Sequence, residues 1–226
     1  MKKILFSLIA ICMTCALFAQ DNTFVQVSDS DKASNDILNK MKANYNAFKS
    51  IEADFTLTIE IPEQDPEIQE GTISQQGEAY NLALASQAII SDGKTLWYHV
   101  ISNNEVQIND VDPDIEEEML SPKNFLKFYD TENFICAPVI AGKENGASVR
   151  WIELKPTDSE AEYFKLRLSI DTKKPELRQI KAFSRDGSRY TFKLNKLTPN
   201  KAFDKSLFAF DSSKFPGIQV EDLRMD

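Results

Sequence analysis

The sequence predicts a mainly β protein covered by α-helix: one strongly curved antiparallel sheet of about 10–11 strands, wrapped as an open or closed barrel. Three observations predict it. Apolar and polar side chains alternate with period two along most of the chain, which gives each strand one apolar and one wet face. Tight-turn dipeptides, Asp92-Gly93 and Asp186-Gly187 above all, join neighbouring strands as hairpins, whereas parallel strands would need long crossovers. Helical periodicity is confined to one N-terminal segment and one insert.

The elements follow in order. Residues 21–31 are polar and read as a leader. A helix is expected from about Lys32 to Lys49, with Ile37, Met41, Tyr45 and Phe48 on one stripe and Ser30 or Asp31 as its cap. The cleanest strand comes next: Ile51, Ala53, Phe55, Leu57, Ile59 and Ile61 point one way, Glu52, Asp54, Thr56, Thr58 and Glu60 the other, and Pro62 and Pro66 end it. Tyr80, Leu82 and Leu84 alternate again. Asp92-Gly93 separates strands at 88–91 and 95–101, and Asn103-Asn104 turns the chain into 106–111. Later strands are expected at 149–154, 164–171, 177–183 and 190–194. In 164–171, Phe164, Leu166, Leu168 and Ile170 oppose Lys165, Arg167, Ser169 and Asp171. The tail adds 207–210 and 218–223.

Between Asp112 and Asp130 the alternation stops. Asp112-Pro113 and Ser121-Pro122 each pair a capping residue with Pro at the first helical position. Two short helices follow, one carrying Ile115, Met119 and Leu120, the other Phe125, Leu126, Phe128 and Tyr129. Their apolar sides must lie on something. They either cover the concave face of the sheet, together with the N-terminal helix, or plug its core.

Composition narrows the function. The chain has 226 residues, 26 basic and 35 acidic, for a net charge of −9. That balance argues against nucleic acid or an anionic membrane surface as partner, because both need basic patches. At the N-terminus, Lys2 and Lys3 precede an apolar run from Ile4 to Phe18, with Ala19 as a small residue before Gln20. This is the pattern of an export signal, residues 1–19, followed by a single domain, residues 20–226. The run is short for a bilayer crossing, which takes about 20 residues; an uncleaved anchor is the competing reading. Neither Cys12 nor Cys15 follows a small residue as lipidation requires. Cleavage after Ala19 removes both, and Lys2 and Lys3 as well, leaving Cys136 as the one thiol and no internal disulfide. Cys136 sits in an apolar segment and reads as buried and inert.

No catalytic constellation emerges. His99 is the only histidine, on a strand beside Tyr98, so a zinc site has too few ligands and a packing role is expected. No Gly-x-Ser-x-Gly elbow exists. Glu116, Glu117 and Glu118 lack calcium-loop spacing and read as a wet helix face. The expectation is a binding protein with no catalytic residues, no metal and no cofactor.

The segment Ile90-Ser91-Asp92-Gly93-Lys94-Thr95-Leu96-Trp97-Tyr98 resembles the hallmark hairpin of the periplasmic outer-membrane lipoprotein carriers, the LolA-type family. Other pieces fall in the family's order: Ile51-Glu52-Ala53-Asp54-Phe55 after the first helix, Glu70-Gly71-Thr72-Ile73, Leu154-Lys155-Pro156, Asp186-Gly187, and the stretch from Phe215 to Asp222. The resemblance spans about Lys32 to Arg224. It implies an open, unclosed β-barrel with a lid of short helices over an apolar cavity. The cavity takes the acyl chains of lipoproteins released by an inner-membrane ABC transporter, and the carrier takes them across the periplasm to an outer-membrane acceptor.

On this reading the chain acts as a monomer, without nucleic acid, and no enzyme chemistry is needed. Phe55, Leu57, Tyr80, Leu82, Leu96 and Trp97 are the candidate cavity residues, joined by Met41 and Tyr45 from the helix. Leu96 and Trp97 are neighbours on one strand and face opposite ways, so one of them must leave the cavity. The candidate lid residues are Phe125, Leu126 and Phe128, with Gln76 standing where the family often has a lid-bonding Arg. Two other functions compete: a lipid-sensing regulatory module of the same fold, and an acyl hydrolase, which would need an activated nucleophile.

Overall fold

The computed structural model describes residues 30–112, 133–174 and 176–224. The expectations for the export signal and for the insert with Phe125, Leu126 and Phe128 fall outside these residues. One α-helix, α1 (Lys32–Asn46), begins where the sequence places it: Asp31 accepts a hydrogen bond from the Ser34 N–H at 2.8 Å. Its buried stripe is Ser34, Leu38, Met41 and Tyr45. The expected stripe is thus rotated so that Leu38 replaces Ile37. Two hydrogen bonds hold that rotation: the Ser34 hydroxyl donates to the Ala137 carbonyl at 2.6 Å, and the Tyr45 hydroxyl accepts from the Leu177 N–H at 3.2 Å.

Thirteen strands follow among the described residues: β1 (Ser50–Glu60), β2 (Glu67–Gln76), β3 (Ala79–Leu84), β4 (Gln87–Ser91), β5 (Thr95–Val100), β6 (Glu105–Asp110), β7 (Phe134–Cys136), β8 (Ile140–Glu144), β9 (Ala147–Pro156), β10 (Tyr163–Asp171), β11 (Leu177–Ser184), β12 (Arg189–Pro199) and β13 (Gln219–Asp222). They form one curved sheet in the order β13-β6-β5-β4-β3-β2-β1-β12-β11-β10-β9-β7, with β8 also on β9. The sheet does not close into a barrel; β13 lies at one end and β7 with β8 at the other. Every pairing is antiparallel except β13 with β6, which is parallel and reached by the long connection from β12.

Three expectations are corrected. The strand count exceeds ten or eleven because short pieces such as β8 carry too little alternation to register. The expected strand at 207–210 is instead a 3₁₀ turn, Lys205–Phe208, capped by Asp204, which accepts from the Ser206 N–H. The third concerns β10, where Tyr163 turns inward at 8% exposure and Phe164 is 42% exposed. The register with β11 slips between Tyr163 and Lys165 and again between Ser169 and Ile170. Phe164 is the extra residue of a bulge, and bulges re-aim side chains. Outside, it lies 6.2 Å from Phe183, a ring with Lys165 Nζ at 4.5 Å and the Arg189 guanidinium at 5.1 Å.

The hairpins behave as their dipeptides demand. Asp92 Oδ1 accepts from the N–H groups of Lys94 (2.9 Å) and Thr95 (2.8 Å), and Gly93 takes φ +90°. Between β10 and β11, Asp171 accepts from Lys173 N (2.7 Å), Lys174 N (3.2 Å) and Arg178 Nη1 (3.0 Å). The two backbone N–H groups, helped by Arg178, hold its carboxyl below the usual carboxylate range. A depressed folded pKa contributes stability that is present above the unfolded value of about 3.9 and lost as pH falls through the folded one. Asp171→Asn therefore lowers the thermal midpoint at pH 7. The gap from wild type closes as the solution is acidified, and a gap that widened in acid would contradict the turn's electrostatics.

The core sits on the concave face. Helix α1 lays Leu38, Met41 and Tyr45 against Ile152 and Leu154 of β9, Leu166 and Leu168 of β10, Ile180 of β11, Phe192 of β12 and Ala53 and Phe55 of β1. Burial pushes the Tyr45 phenol up to about 12, so it stays neutral. Cys136 is buried in this core, and burial raises its thiol pKa as well. No helix among the described residues is long and apolar enough to cross a membrane.

Candidate functional site: the concave face of β1 to β6

The register carries one row of side chains from the core to the sheet's edge. Phe55 lies opposite Gly71, and Gly71 opposite Leu84. Leu82 pairs with Ile73 on one side and Ile89 on the other; Tyr80 pairs with Gln75 and Ser91. Ser91 lies opposite Leu96 and Ile89 opposite Tyr98. Because side chains alternate strictly in an unbulged strand, these residues share one face. That face continues to Asn109 and Gln107 on β6.

Burial is graded along the row. Leu38 and Met41 have no exposed surface, and Phe55 and Tyr80 are nearly as closed. Leu57, Leu82, Leu84, Ile89, Leu96, Tyr98 and Val100 are only half-buried. The apolar strip ends in a polar rim where Gln107 Nε2 donates to Glu221 Oε2 of β13 at 3.2 Å. Gly71 lets the Phe55 ring lie directly against β2 at the deep end: a Cβ there would stand 2.5 Å from Phe55 Cζ and 2.7 Å from the Ala83 carbonyl oxygen.

The candidate residues sort as follows. Phe55, Leu57, Tyr80, Leu82 and Leu96 lie on the concave face, with Met41 and Tyr45 packed at its α1 end. Trp97 does not join them. It pairs with Ile90 and Ile108 on the convex face, as its place next to Leu96 requires. Gln76 is exposed at the end of β2, opposite Ser50 and Ala79, and alternation turns it to the convex side. The glutamine beside Tyr80 on the concave face is Gln75. The sequence reading passed over Ile89, Tyr98 and Val100. Counting outward from the Asp92-Gly93 hairpin pairs Leu96 with Ser91 and Tyr98 with Ile89, and that count would have found the first two.

His99 lies on the convex face, 4% exposed, in edge contact with Phe210 (5.1 Å) and Phe215 (4.6 Å). Among the described residues no three His, Cys, Asp or Glu side chains stand together as a metal site.

An open sheet with a graded apolar trough fits what sequence comparison finds. Residues 46–211, well over half of the chain, match the family described as outer membrane lipoprotein carrier protein LolA. The chain belongs to the LolA family. Among curated proteins none matches in sequence. A solved structure of an uncharacterized conserved protein from Thermus thermophilus shares the fold, with a TM-score of 0.54 and 10% identity over 84% of this chain and 99% of that one. A LolA superfamily protein from Nitrosomonas europaea aligns with a TM-score of 0.42 and 12% identity over 78% of this chain and 97% of that one. The lipoprotein LppX of Mycobacterium tuberculosis aligns with a TM-score of 0.49 and 8% identity over 77% and 99%. As a LolA-family member the chain has the fold of a lipid-binding carrier family, with its apolar trough on the concave face.

Proposed function

We propose that this LolA-family protein is a periplasmic carrier that takes the acyl chains of lipoproteins into the concave trough. It receives them from an inner-membrane ABC transporter and passes them to an outer-membrane acceptor. The observation that carries the reading is the graded burial of the concave face. The α1 end is packed solid, while Leu57, Leu82, Ile89, Leu96 and Tyr98 are left half-covered. Each methylene moved out of water is worth about 0.8 kcal/mol, so an anchor with several acyl chains is worth tens of kcal/mol in gross terms. A half-covered strip recovers part of that and leaves the cargo able to leave, which a shuttle needs. The rim of Gln107 and Asn109 meets the anchor's ester and amide groups. Gln75, beside Tyr80, offers a hydrogen-bonding group on this face, and Phe125, Leu126 and Phe128 serve as the apolar lid.

The protein isolated from the periplasmic fraction is expected to carry acylated polypeptides, detected by mass spectrometry of the copurifying material. Recovery of free lipid alone would favour the lipid-sensing module over the shuttle.

A further inference from the structure

Residues 200–218 cross the convex face of the sheet, on the opposite side from the trough, and leave a second cleft beneath them. The crossing segment is tied at several points: Asn200 N–H to the Ser50 carbonyl (2.7 Å), Asn81 Nδ2 to the Leu207 carbonyl (2.8 Å) and Gln219 N–H to the Asn104 carbonyl (2.9 Å). Alternation puts Ala83, Ala88, Ile90 and His99 on this face as the floor. Phe203, Leu207, Phe210 and Phe215 stand above it. The alanines are too short to meet these rings, and a cleft of about 630 Å³ remains, within the range that holds small molecules.

Two polar side chains are built into the floor: Asn81, whose amide is spent on the Leu207 carbonyl, and His99. His99 lines the cleft and is 96% buried, and among the described residues it has no hydrogen bond. Phe210 and Phe215, stacked 5.1 Å apart at 11°, fix its ring by edge contacts. Burial lowers its pKa, so the imidazole is neutral at neutral pH, with one nitrogen to donate and one to accept. Its unbonded ring nitrogens are not sealed off, so a ligand's polar atom could take the place of water on them.

The charges at the cleft's edge select the ligand. Asp204, Asp211 and Lys214 line it. Asp204 is held below the usual carboxylate range by the Ser206 N–H, and Asp211 by the Ser213 hydroxyl and N–H, so both are ionised. Lys214 Nζ lies 3.7 Å from Asp211 and offsets one of the two. The surplus negative charge works against an anionic head.

We propose that this convex cleft is a second lipid site, which binds a neutral single-chain acyl amphiphile. Its hydrocarbon lies on the alanine floor between the phenylalanine rings, and its ester or hydroxyl head is hydrogen-bonded to His99. The site is separate from the carrier trough and does not depend on what the trough carries.

The chain's single histidine gives one imidazole ring signal in NMR, a reporter inside the cleft. Titration with 1-monooleoylglycerol, below the concentration at which it aggregates, is expected to shift that signal saturably. Ala83→Phe, which fills the floor from an exposed position, is expected to weaken the effect at least tenfold. Leu96→Glu, on the other face, is expected to change it less than twofold. Thermal unfolding checks that each variant folds, and Ala209→Phe replaces Ala83→Phe if it does not. A His99 signal that stays unchanged at the highest monoacylglycerol concentration overturns the site. Tighter binding of oleate than of the glyceride overturns the neutral head, and loss of the shift in Leu96→Glu places the ligand in the trough instead.

Discussion

Leu96→Glu is expected to lower cargo affinity by a factor of about 100 or more while leaving the thermal midpoint within a few degrees of wild type. Leu96 stands half-buried in the middle of the concave row, between Ser91 and Asn109. Without cargo, a carboxylate there reaches water and folding loses little. With hydrocarbon against it, the same carboxylate is stripped of solvent without a partner, and an unpaired charge in an apolar setting is strongly unfavourable. A hundredfold loss corresponds to about 2.8 kcal/mol, well within that penalty. Leu96→Met keeps the apolar volume and should bind within threefold of wild type. Trp97→Glu is the internal control, because alternation turns it to the other face. Loss of cargo in Trp97→Glu, with Leu96→Glu unaffected, would mean that the acyl chains lie on the convex side. Measuring copurified acyl chains per protein, or displacement of a fluorescent acyl probe, distinguishes the outcomes.

Gly71→Ala is expected to destabilise the protein by about 1–3 kcal/mol, the usual cost of overpacking a well-filled core. The added Cβ meets Phe55 Cζ at 2.5 Å, Leu84 Cδ2 at 2.7 Å and the Ala83 carbonyl oxygen at 2.7 Å. Phe55 cannot simply retreat, because its ring already packs 4.7 Å from that of Phe192. For a chain of this size the midpoint should fall by roughly 2–12 °C. Combining Gly71→Ala with Phe55→Leu should recover part of the loss, since the two sites are in contact and their effects do not add. Recovery stays incomplete because the Ala83 carbonyl is backbone and has little room to yield. Gly77→Ala is the comparison: φ is +61° there but no atom lies within 4 Å, so only backbone strain opposes the change. Equal losses at position 71, in β2, and at position 77, in the turn after it, would show that the close approach of Phe55 is not what demands glycine at position 71.

Much of the architecture was legible because it rests on local chemistry. Asp31 caps α1, Asp92-Gly93 and Asp186-Gly187 turn the chain, and β1 alternates without a break in side-chain polarity, each within reach of a few residues. The family hairpin from Ile90 to Tyr98 forms as β4 and β5. The errors fall where a neighbour decides. Ile37 gives way to Leu38 because Tyr45 and Ser34 find partners on β11 and just beyond β7. Phe164 turns outward because β10 gains a residue against β11, which no single-strand pattern reveals. Which of two neighbouring glutamines shares a face with Tyr80 is likewise settled by pairing: Gln75 lies opposite Tyr80, and Gln76 opposite Ala79.

By itself the sequence determined most of the strands, the tight turns that join them, and that one face of most of them is apolar. Side-chain polarity and turn chemistry are properties of neighbouring residues, so they survive without the fold. Only the tertiary structure decided which apolar residues are sealed beneath α1 and which stay half-covered, and that the tail roofs a second cleft over His99. Those outcomes depend on register and on segments more than a hundred residues apart meeting across the sheet, and pairings at that distance leave no trace in local periodicity.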